Sequence, residues 1–527
     1  MRPEDAPTIP ALIAAAAEAY GDARAIEEDD LRLSFRELQA EGLRAARAFI
    51  AAGVEPGDRV GIWAPNVSEW ILAAIGLQSA GAVLVTLNTR FKGVEAAYVL
   101  RKSRAKLLFT MGGEFLGTDY VKLLAGEDLP DLSRTVTFRG EAVGAQTWEQ
   151  FLAEGEGVPE EEARARAAAV KADDLSDFIF TSGTTGSPKA VMTAHGQNVQ
   201  TFKVWSESVG LREGDRYLIV NPFFHTFGYK AGWLSAFMRG VTVLPHQVFD
   251  ARVILERVAN ERISVLPGPP TVYQTLLALP DLSDHDTSSL RLAVTGAAAI
   301  PVELVRQMRE ELGFDTVLTA YGLTECCGVV TLCHHGDDAE TIATTSGQAM
   351  PEVEVKCVDA DGKEAPRGQP GEIWVRGYNV MRGYFDDEEE TRKTIDAEGW
   401  LHTGDVAVMD ERGYVRITDR IKDMFITGGF NVYPAEVENL LYGSGRFAQV
   451  AVIGVPDPRM GEVCMAFVVP AAGEDVTPES VIAWSRENMA NYKAPRHVSV
   501  VSELPANASG KVLKFELRKR ADDVVGR

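Results

Sequence analysis

The amino-acid sequence predicts an α/β fold in two parts. We expect a large N-terminal domain of layered α/β subdomains plus a β-rich subdomain, followed by a small α+β C-terminal domain. Short apolar strands alternate with helical patterns in the first third of the chain, and the alternation resumes after residue 216. Beyond Gly347, short β runs are separated by Asp-Gly and Pro-Gly turns. The predicted domains span residues 1–421 and 422–527.

Length and composition fit a globular protein with more than one domain. The chain has 527 residues, of which 46% are hydrophobic and 24% charged, so it can bury large cores. Its net charge of −23 argues against a nucleic-acid-binding protein, which needs a basic face. A polyanionic ligand would instead have to bind where lysines, arginines and helix N-termini are concentrated locally.

The cysteines and the N-terminus predict a cytoplasmic location. Five cysteines form an odd set without a paired framework, which is typical of a reducing compartment. The N-terminus lacks the basic flank and apolar core of a signal peptide, and no apolar run approaches membrane-spanning length. A cluster of thiols and imidazoles lacks the C-x-x-C pairs of a zinc site, so we predict no metal there. Its members are Cys326, Cys327, Cys333, His334 and His335.

Periodicity in the first third predicts three strands and three helices, the third helix lying between the strands at 83–85 and 106–109. A helix over 34–52 begins at an S-x-x-E capping box, and a second helix covers 68–80. Apolar runs predict strands at 59–63, 83–85 and 106–109.

Further along the chain, the same reasoning predicts elements of both kinds. Residues 154–174 are rich in Glu, Ala and Arg and are interpreted as a surface segment. The predicted strands cover 216–220, 241–244, 263–266, 290–294, 353–355, 372–375, 414–417, 449–454 and 464–469. The predicted helices cover 230–239, 250–261, 301–312, 434–441 and 477–489.

A loop rich in glycine and hydroxyl residues follows the apolar strand end Ile179-Phe180. Glycines let several backbone N–H groups point into one concavity that can bind phosphate, and the hydroxyls and a lysine add donors. The spacing differs from that of a P-loop, because two residues separate Gly186 from Lys189. Taken alone, the loop is equally well a polar turn. Its residues are Thr181, Ser182, Gly183, Thr184, Thr185, Gly186, Ser187, Pro188 and Lys189.

Five distant stretches make this loop more specific. They are T-A-Y-G-L-T-E at 319–325, W-L-H-T-G-D at 400–405, D-R-I-K-D at 419–423, G-G-F-N-V-Y-P-A-E-V-E at 428–438, and N-A-S-G-K at 507–511. In this order and spacing they resemble the adenylate-forming superfamily of acyl-CoA synthetases, firefly luciferases and peptide-synthetase adenylation domains. The resemblance covers nearly the whole chain.

The resemblance implies an enzyme that works in two half-reactions. A carboxylate attacks the α-phosphate of ATP, with Mg²⁺ bound, to give an acyl-adenylate and pyrophosphate. The thiol of coenzyme A then displaces AMP. Such chemistry depends on positioning and charge neutralisation more than on acid–base groups. The implied partners are a small carboxylic acid, ATP and CoA.

The resemblance also implies roles for individual residues. Lys189 and the loop Thr181–Gly186 would hold the β- and γ-phosphates, Thr324 would contact the α-phosphate, and Lys511 would reach the acyl carboxylate and α-phosphate. Glu325 and Thr184 would hold Mg²⁺, which prefers oxygen ligands. Asp405 and Arg420 would bind the ribose. The adenine would stack on Tyr321 in a pocket formed by Gly296, Ala297, Ala298, Ala320 and Gly322.

Two further expectations concern the C-terminal domain and one residue of the loop. The resemblance implies that this domain is mobile, with a hinge at Lys422 and with Gly428, Gly429 and Phe430 beside the pantetheine tunnel. The family usually has glycine after the loop lysine, whereas this chain has Ala190. A methyl group costs little unless the backbone needs positive φ, so we expect retained activity.

Residues 221–232 and 265–270 look like those of acyl-CoA ligases from actinobacterial lipid and steroid catabolism, which act on fatty acids or steroid-ring propanoates. They imply a hydrophobic acid, medium-chain, long-chain or alicyclic. No aspartate lies early in 225–233 to bind a substrate amine, which argues against amino-acid activation. His225 would lie at the acyl pocket, although a lone histidine is equally a core residue. The apolar walls would be Phe224, Phe227, Gly228, Tyr229 and Trp233.

Two rival functions stay open at this point. An amide-forming ligase would pass the adenylate to an amine, although the intact 428–434 loop favours CoA. A nucleotide-binding scaffold without turnover would have no need of Lys511, Glu325 and Lys189. The sequence does not specify the oligomeric state, and a homodimer is left open.

Overall fold

The computed structural model describes most of the chain, and the statements below concern these residues: 1–115, 117–181, 188–296, 300–420, 423–427, 430–489, 491–506 and 512–525.

The strands of the N-terminal part are β1 (Arg24–Glu28), β2 (Leu31–Ser34), β3 (Arg59–Trp63), β4 (Val83–Thr86), β5 (Ala105–Thr110), β6 (Arg134–Thr137), β7 (Gln146–Thr147), β8 (Leu175–Thr181), β9 (Lys189–Ala194), β10 (Arg216–Ile219), β11 (Thr242–Pro245), β12 (Leu292–Gly296), β13 (Thr316–Tyr321), β14 (Thr331–Leu332), β15 (Gln348–Ala349), β16 (Glu354–Val358), β17 (Pro370–Arg376), β18 (Gly383–Tyr384), β19 (Leu401–Met409) and β20 (Val415–Arg420). The later strands are β21 (Phe425–Thr427), β22 (Phe430–Val432), β23 (Phe447–Asp457), β24 (Gly461–Pro470) and β25 (His497–Val500).

The α-helices are α1 (Ile9–Tyr20), α2 (Phe35–Ala51), α3 (Ser68–Ser79), α4 (Gly93–Ser103), α5 (Tyr120–Leu123), α6 (Trp148–Glu154), α7 (Glu160–Ala169), α8 (His195–Ser208), α9 (Thr226–Gly228), α10 (Ser235–Met238), α11 (Ala251–Glu261), α12 (Pro270–Leu277), α13 (Val302–Glu310), α14 (Ala339–Thr344), α15 (Glu388–Thr394), α16 (Pro434–Tyr442), α17 (Pro478–Asn488) and α18 (Lys514–Val525). A π-helical turn, Tyr229–Leu234, joins α9 to α10.

The largest sheet has eight strands in the order β18-β9-β8-β4-β3-β5-β6-β7. Its strands from β8 to β7 run parallel, and β9 and β18 add an antiparallel edge. Every residue of β4 is buried, as expected for a parallel strand covered by helices on both faces. The hairpin that carries the Gly/Thr-rich loop is therefore part of this sheet and lies next to the buried strand β4.

Two four-stranded sheets lie side by side, in the orders β10-β11-β1-β2 and β12-β13-β14-β15. Val265 joins them by parallel bridges to Tyr217 and Leu292. The strand predicted over 263–266 is shortened to this single bridge residue, although Ser264 and Leu266 also form backbone hydrogen bonds to Arg216 and Leu292 on either side. Pro267 and the following Gly-Pro-Pro cannot supply a continuous ladder, since proline lacks the N–H donor.

The β-rich subdomain is an antiparallel sheet in the order β16-β17-β19-β20, as the Asp-Gly and Pro-Gly turns indicated. Other elements also agree with the predictions. Helix α2 begins at a complete capping box formed by Ser34 and Glu37. The predicted α/β fold class, with a large and a small part, is confirmed.

The C-terminal residues build a sheet with a core on each face. The sheet has the order β22-β21-β24-β23, with β25 beside β24. Val450 and Val452 belong to one apolar cluster with α16 and α17, whereas Ala451 and Ile453 belong to another with α18. A third and much larger cluster consists of buried apolar residues from the part of the chain between Ala6 and Val415. The boundary predicted between 421 and 422 falls on residues outside the described ones and stays a prediction.

None of the helices that the structure describes is both long enough and apolar enough to cross a bilayer.

Candidate active site

The Gly/Thr-rich loop lies at the tip of the β8–β9 hairpin. Thr181 pairs with Lys189 at the last rung, and Phe180 pairs with Ala190 before it. Ala190 is buried in this extended ladder, so its methyl group needs no left-handed backbone. Whether activity is retained with alanine stays a prediction. The tip itself lies outside the described residues, and with it the predicted phosphate ligands Ser182, Gly183, Thr184, Thr185 and Gly186.

Lys189 is held by two neighbours on the adjoining chain segment. Its ammonium forms an ion pair with Glu390 and lies 5.0 Å from the centre of the Tyr384 ring. The hydrogen bond from Lys189 is the main reason that the pKa of Glu390 is lowered. The lysine side chain is 20% exposed, so its charge is accessible but already has a defined position.

Glu325 lies on a 3-10 turn (Thr324–Cys326) that follows strand β13. One of its carboxylate oxygens accepts a 2.9 Å hydrogen bond from the hydroxyl of Tyr384. Burial and the charge of Glu325 raise the pKa of Tyr384, so the phenol stays protonated and remains a donor. Tyr384 reaches this position because β18 pairs with β9, with Tyr384 opposite Val191.

Tyr384 therefore connects two predicted site residues that are far apart in the chain. Its ring faces Lys189 and its hydroxyl binds Glu325, which is 59 positions away. Sequence reasoning missed both Tyr384 and Glu390. The only signal was a Gly-Tyr step before an acidic run, and nothing in that step indicates which carboxylate the phenol would reach.

The predicted adenine and ribose residues also meet in the structure. The hydroxyl of Tyr321 donates a 2.6 Å hydrogen bond to the Asp405 carboxylate, which belongs to a residue only 4% exposed. Burial, and then the charge of Asp405, raises the pKa of Tyr321. Arg420 pairs with Asp405 through the β19–β20 backbone ladder, and its side chain lies outside what the structure describes.

Two strand ends bring the remaining base-pocket residues together. Gly296 and Ala320 are paired where the parallel strands β12 and β13 end. A Cβ atom at Gly296 would lie 2.7 Å from the carbonyl oxygen of Ala320, so glycine permits this approach. Ala297 and Ala298 lie outside the described residues. The carboxyl ends of parallel strands are where α/β proteins usually bind ligands.

The acyl-pocket segment is anchored at its start by Asn66, which sequence reasoning also missed. The Asn66 amide donates to the carbonyls of Ile219 and Asn221, and its oxygen accepts from the amide of Phe223 at 2.8 Å. The hydroxyl of Thr86 donates to the carbonyl of Phe224 at 2.9 Å. These bonds fix the segment to the ends of strands β3 and β4.

Burial divides the predicted acyl-pocket residues into two groups. Phe224 and Phe227 are half-buried and retain accessible surface. Tyr229 and Trp233 have 0% exposure and stack on one another with ring centres 4.8 Å apart. A direct role for the latter two in lining a pocket stays a prediction, since they pack inside the core. Gly228 fits closely, because a Cβ atom there would lie 2.2 Å from the carbonyl oxygen of Pro222.

His225 is a neutral residue within this segment. Burial lowers the pKa of His225 to about 4, so the imidazole is uncharged at neutral pH. Its Nδ1 accepts a 3.2 Å hydrogen bond from the amide of Phe227, which places the ring proton on Nε2. The ring can hydrogen-bond a substrate but cannot neutralise its carboxylate.

Several predicted residues cannot be placed relative to this arrangement. The hinge and CoA-tunnel residues Lys422, Gly428 and Gly429 lie outside the described residues, as does Lys511. Phe430 begins strand β22, and its side chain is not described. Their roles stay predictions.

The described part of the site is thus a connected set of contacts at strand ends. Tyr384 links the β8–β9 hairpin to the turn at 324–326. That turn follows strand β13, which ends at Tyr321. Residues 13–385 match the family model for AMP-binding enzymes, and residues 436–511 match that for the AMP-binding enzyme C-terminal domain. This chain belongs to the AMP-binding enzyme family. The resemblance seen in the motifs is confirmed.

Two relatives of this AMP-binding enzyme are similar over their full length. Both are named 3-[(3aS,4S,7aS)-7a-methyl-1,5-dioxo-octahydro-1H-inden-4-yl]propanoyl:CoA ligase. The protein from Rhodococcus jostii is 49% identical and that from Mycobacterium tuberculosis is 48% identical. Each alignment covers 98% of this chain and 99% of the relative.

Solved structures of similar architecture include enzymes with different acceptors. The anthranilate CoA ligase AuaEII in complex with anthranoyl-AMP has a TM-score of 0.88 and 29% identity, covering 99% of both chains. The amide bond synthetase McbA from Marinactinospora thermotolerans has a TM-score of 0.85 and 27% identity, covering 97% of this chain and 99% of McbA. The fold alone therefore does not choose between a thiol and an amine acceptor.

The tight backbone at Gly322 gives a test of the site geometry. A Cβ atom at Gly322 would lie 2.2 Å from the carbonyl oxygen of Gly328, so Gly322→Ala must displace the turn that carries Thr324 and Glu325. We expect AMP affinity, measured by calorimetry, to fall by about tenfold or more. Gly336→Ala is the matched control, because a Cβ atom there meets open space. Unchanged AMP binding by Gly322→Ala would show that the turn does not contact the nucleotide.

Proposed function

We propose that this enzyme is an AMP-forming acyl-CoA ligase. A carboxylic acid and ATP give an acyl-adenylate and pyrophosphate, and CoA then converts the adenylate to acyl-CoA and AMP. The observation that carries this proposal is the 49% identity over full length to a CoA ligase from Rhodococcus jostii. The linked positions of Lys189, Glu325, Tyr321 and Asp405 support it, because a cation, a carboxylate, an aromatic ring and a second carboxylate suit the phosphates, the metal ion, the base and the ribose of a nucleoside triphosphate.

The proposed nucleotide site uses the strand ends described above. Tyr321 would stack on adenine between Gly296, Ala320 and Gly322, while buried Asp405 would accept hydrogen bonds from the ribose hydroxyls. Lys189 would bind the β- and γ-phosphates together with the loop at 181–186. The 20% exposure of Lys189 and its pairing with Glu390 support this, since a phosphate could replace that carboxylate partner.

The chemistry of Glu325 fits a magnesium ion. Its half-buried carboxylate is oriented by the phenol of Tyr384, and oxygen ligands are those that Mg²⁺ prefers. The described residues contain no group of three or more His, Cys, Asp or Glu side chains that could hold a metal. This agrees with an ion held by one carboxylate and by substrate phosphates, with Thr184 as a further candidate ligand. When bound, Mg²⁺ would neutralise phosphate charge as pyrophosphate leaves.

Lys511 and the hinge region are assigned from the sequence motifs. Lys511 would approach the acyl carboxylate and the α-phosphate, where negative charge develops in the first transition state, and Thr324 would contact the same phosphate. Rotation at Lys422 would then bring Gly428, Gly429 and Phe430 to the pantetheine tunnel. The separate apolar clusters of residues 425–521 support a domain that can move as a unit.

We propose an alicyclic, steroid-ring-derived propanoate as the acid. The names of the two relatives at 49% and 48% identity support this choice over a linear fatty acid. Half-buried Phe224 and Phe227 would provide apolar walls. His225 is neutral, so it would offer a hydrogen bond to the acid but no charge to pair with its carboxylate. A cytoplasmic location is proposed as well, because the five cysteines are buried and unpaired.

Pyrophosphate release tests the proposed function directly. With ATP, Mg²⁺ and a panel of acids, we expect release to be strongest with a bicyclic diketone propanoate and weaker with octanoate or benzoate. Acyl-CoA, followed by mass spectrometry, should form only when CoA is added. Pyrophosphate release with a product that forms only when an amine is added would favour an amide-forming ligase. The structural similarity to the amide bond synthetase McbA is the reason for including this arm. Absence of release with every acid would favour a scaffold without turnover.

Lys511→Ala separates the two half-reactions. Loss of the ammonium removes charge stabilisation from adenylate formation, so acid-dependent pyrophosphate release should fall by about 100-fold or more. Thioester formation from supplied acyl-AMP should continue, because in that step the C-terminal domain would be rotated so that Lys511 is away from the site. The matched control is Lys519→Ala, which removes an exposed lysine of α18. Loss of both half-reactions would contradict the role assigned to Lys511.

Tyr384→Phe tests the link between Glu325 and the metal. The ring that faces Lys189 is kept, while the hydroxyl that orients Glu325 is lost. Removing such a supporting hydrogen bond should raise the Mg²⁺ concentration needed for half-maximal pyrophosphate release by about tenfold. Tyr378→Phe is the control, since that hydroxyl donates only to the carbonyl of Pro351. An unchanged Mg²⁺ requirement for Tyr384→Phe would contradict the assignment of Glu325.

A further inference from the structure

A completely buried ion pair lies beneath the candidate site. The ammonium of Lys230 is 2.8 Å from the Asp177 carboxylate, and both side chains have 0% exposure. Taking two charges out of water is costly, and apolar residues of similar volume are often at least as stabilising. The pair therefore needs an explanation other than stability of the fold.

Polar neighbours satisfy both charges with good geometry. Lys230 also donates to the hydroxyl of Thr193 at 2.9 Å. The Asp177 carboxylate accepts hydrogen bonds from Ser176 at 2.7 Å, Thr193 at 2.7 Å and Asn198 at 2.6 Å. A buried network in which both charges have several partners favours one arrangement of the backbone segments that it joins.

The segments joined by this network are those that carry the site. Asp177 lies on β8, which ends at Thr181, and Thr193 lies on β9, which begins at Lys189. Lys230 lies in the π-helical turn that continues the acyl-pocket segment. The ion pair thus ties the pocket segment to both strands of the phosphate-loop hairpin.

A third segment packs against the acyl-pocket segment. Cys327 follows the turn that carries Glu325 and is buried, and burial raises the pKa of its thiol to about 11. The charge of Lys230 lowers the pKa of this thiol, whereas the charge of Asp177 raises it. The next residue, Gly328, lies so close to Thr226 that a Cβ atom would approach its side chain to 2.8 Å.

The pocket segment needs such an anchor because its own geometry is irregular. Gly232 interrupts the π-helical turn with φ −85° and ψ −108°, outside the helical region. Single π turns inside helices are short and are frequent at functional sites. Regular helical hydrogen bonds therefore cannot fix the position of this segment by themselves.

We propose that the Lys230–Asp177 ion pair is a positioning device that sets the acyl-pocket segment against the phosphate-loop hairpin. The proposal rests on the proposed function, because it is through this device that the acid and the α-phosphate of ATP meet in a reactive geometry. Lys230 acts through the segment it holds and does not touch the substrates, so it is a positioning residue.

The test uses neutral replacements of similar size. Lys230→Met/Asp177→Asn removes both charges together, which avoids leaving one buried charge unpaired. The matched control is Arg291→Met/Asp215→Asn, which removes another buried ion pair, with exposures of 13% and 3%. That pair lies where strands β10 and β12 begin, at the edge opposite the site. Thr193→Val is a milder variant that keeps both charges and their direct contact, and loses the hydroxyl that accepts from Lys230 and donates to Asp177.

Two measurements are made on folded wild type and variants, well below their unfolding temperatures. For the double variant at 230 and 177, we expect kcat for pyrophosphate release to fall by about 100-fold with a smaller change in KM for ATP, since misplacement by about 1 Å has this effect. We expect AMP affinity by calorimetry to fall by about threefold to tenfold, because the hairpin shifts. Thr193→Val should show the same pattern more weakly, and the control pair should show neither effect.

The outcomes separate this inference from the proposed function. If the wild type releases no pyrophosphate, the proposed function fails, and AMP affinity of the variants still decides whether the pair positions the hairpin. Wild-type kcat and AMP affinity in Lys230→Met/Asp177→Asn would overturn the inference and leave a structural ion pair. If that double variant does not fold, unchanged kcat and AMP affinity in Thr193→Val overturn it. Equal losses in the control pair would also overturn it, because the effect would then follow stability alone.

Discussion

The placement of a few charges is the constraint on which this structure depends. A chain with a net charge of −23 repels polyphosphates, so binding one requires local cations whose positions are fixed in advance. Lys189 illustrates the solution, because it lies over the Tyr384 ring and beside Glu390. Its ammonium is partly buried and already paired, so a phosphate could take the place of the carboxylate partner.

The sheet architecture gives these charges their common location. The hairpin β8–β9, the ends of β12 and β13, and the short strand β18 lie in different parts of the chain. Parallel pairing brings Gly296 beside Ala320, and antiparallel pairing brings Tyr384 beside the hairpin. Among the described site residues, Lys189, Tyr321, Tyr384 and Asp405 lie on strands and are therefore held by the backbone hydrogen bonds of sheets.

The sequence predicted the strands and helices well where a single physical signal dominates. The capping box at Ser34 and the apolar run at 59–63 are local signals, and both elements form as expected. The strand predicted at 263–266 is reduced to a bridge at Val265, because pairing there depends on two neighbouring sheets and on the prolines that follow. For the site, the motifs predicted roles for Glu325 and Asp405, but did not indicate which tyrosines contact them. Tyr384 is joined to Glu325 only by the fold, and a buried Lys230 looks like any lysine in a sequence.

The C-terminal residues pack around a sheet of their own, which bears on the proposed domain movement. Alternate residues of β23 belong to different clusters, with α16 and α17 on one face of the sheet and α18 on the other. Both faces of that sheet are thus covered by α16, α17 and α18, which all come from residues 434–525. A unit that completes its own core loses no core packing when it rotates. The proposed exchange of Lys511 for the 428–430 loop would then be governed by surface contacts and by ligands, which is the energy range in which substrates can direct a domain movement.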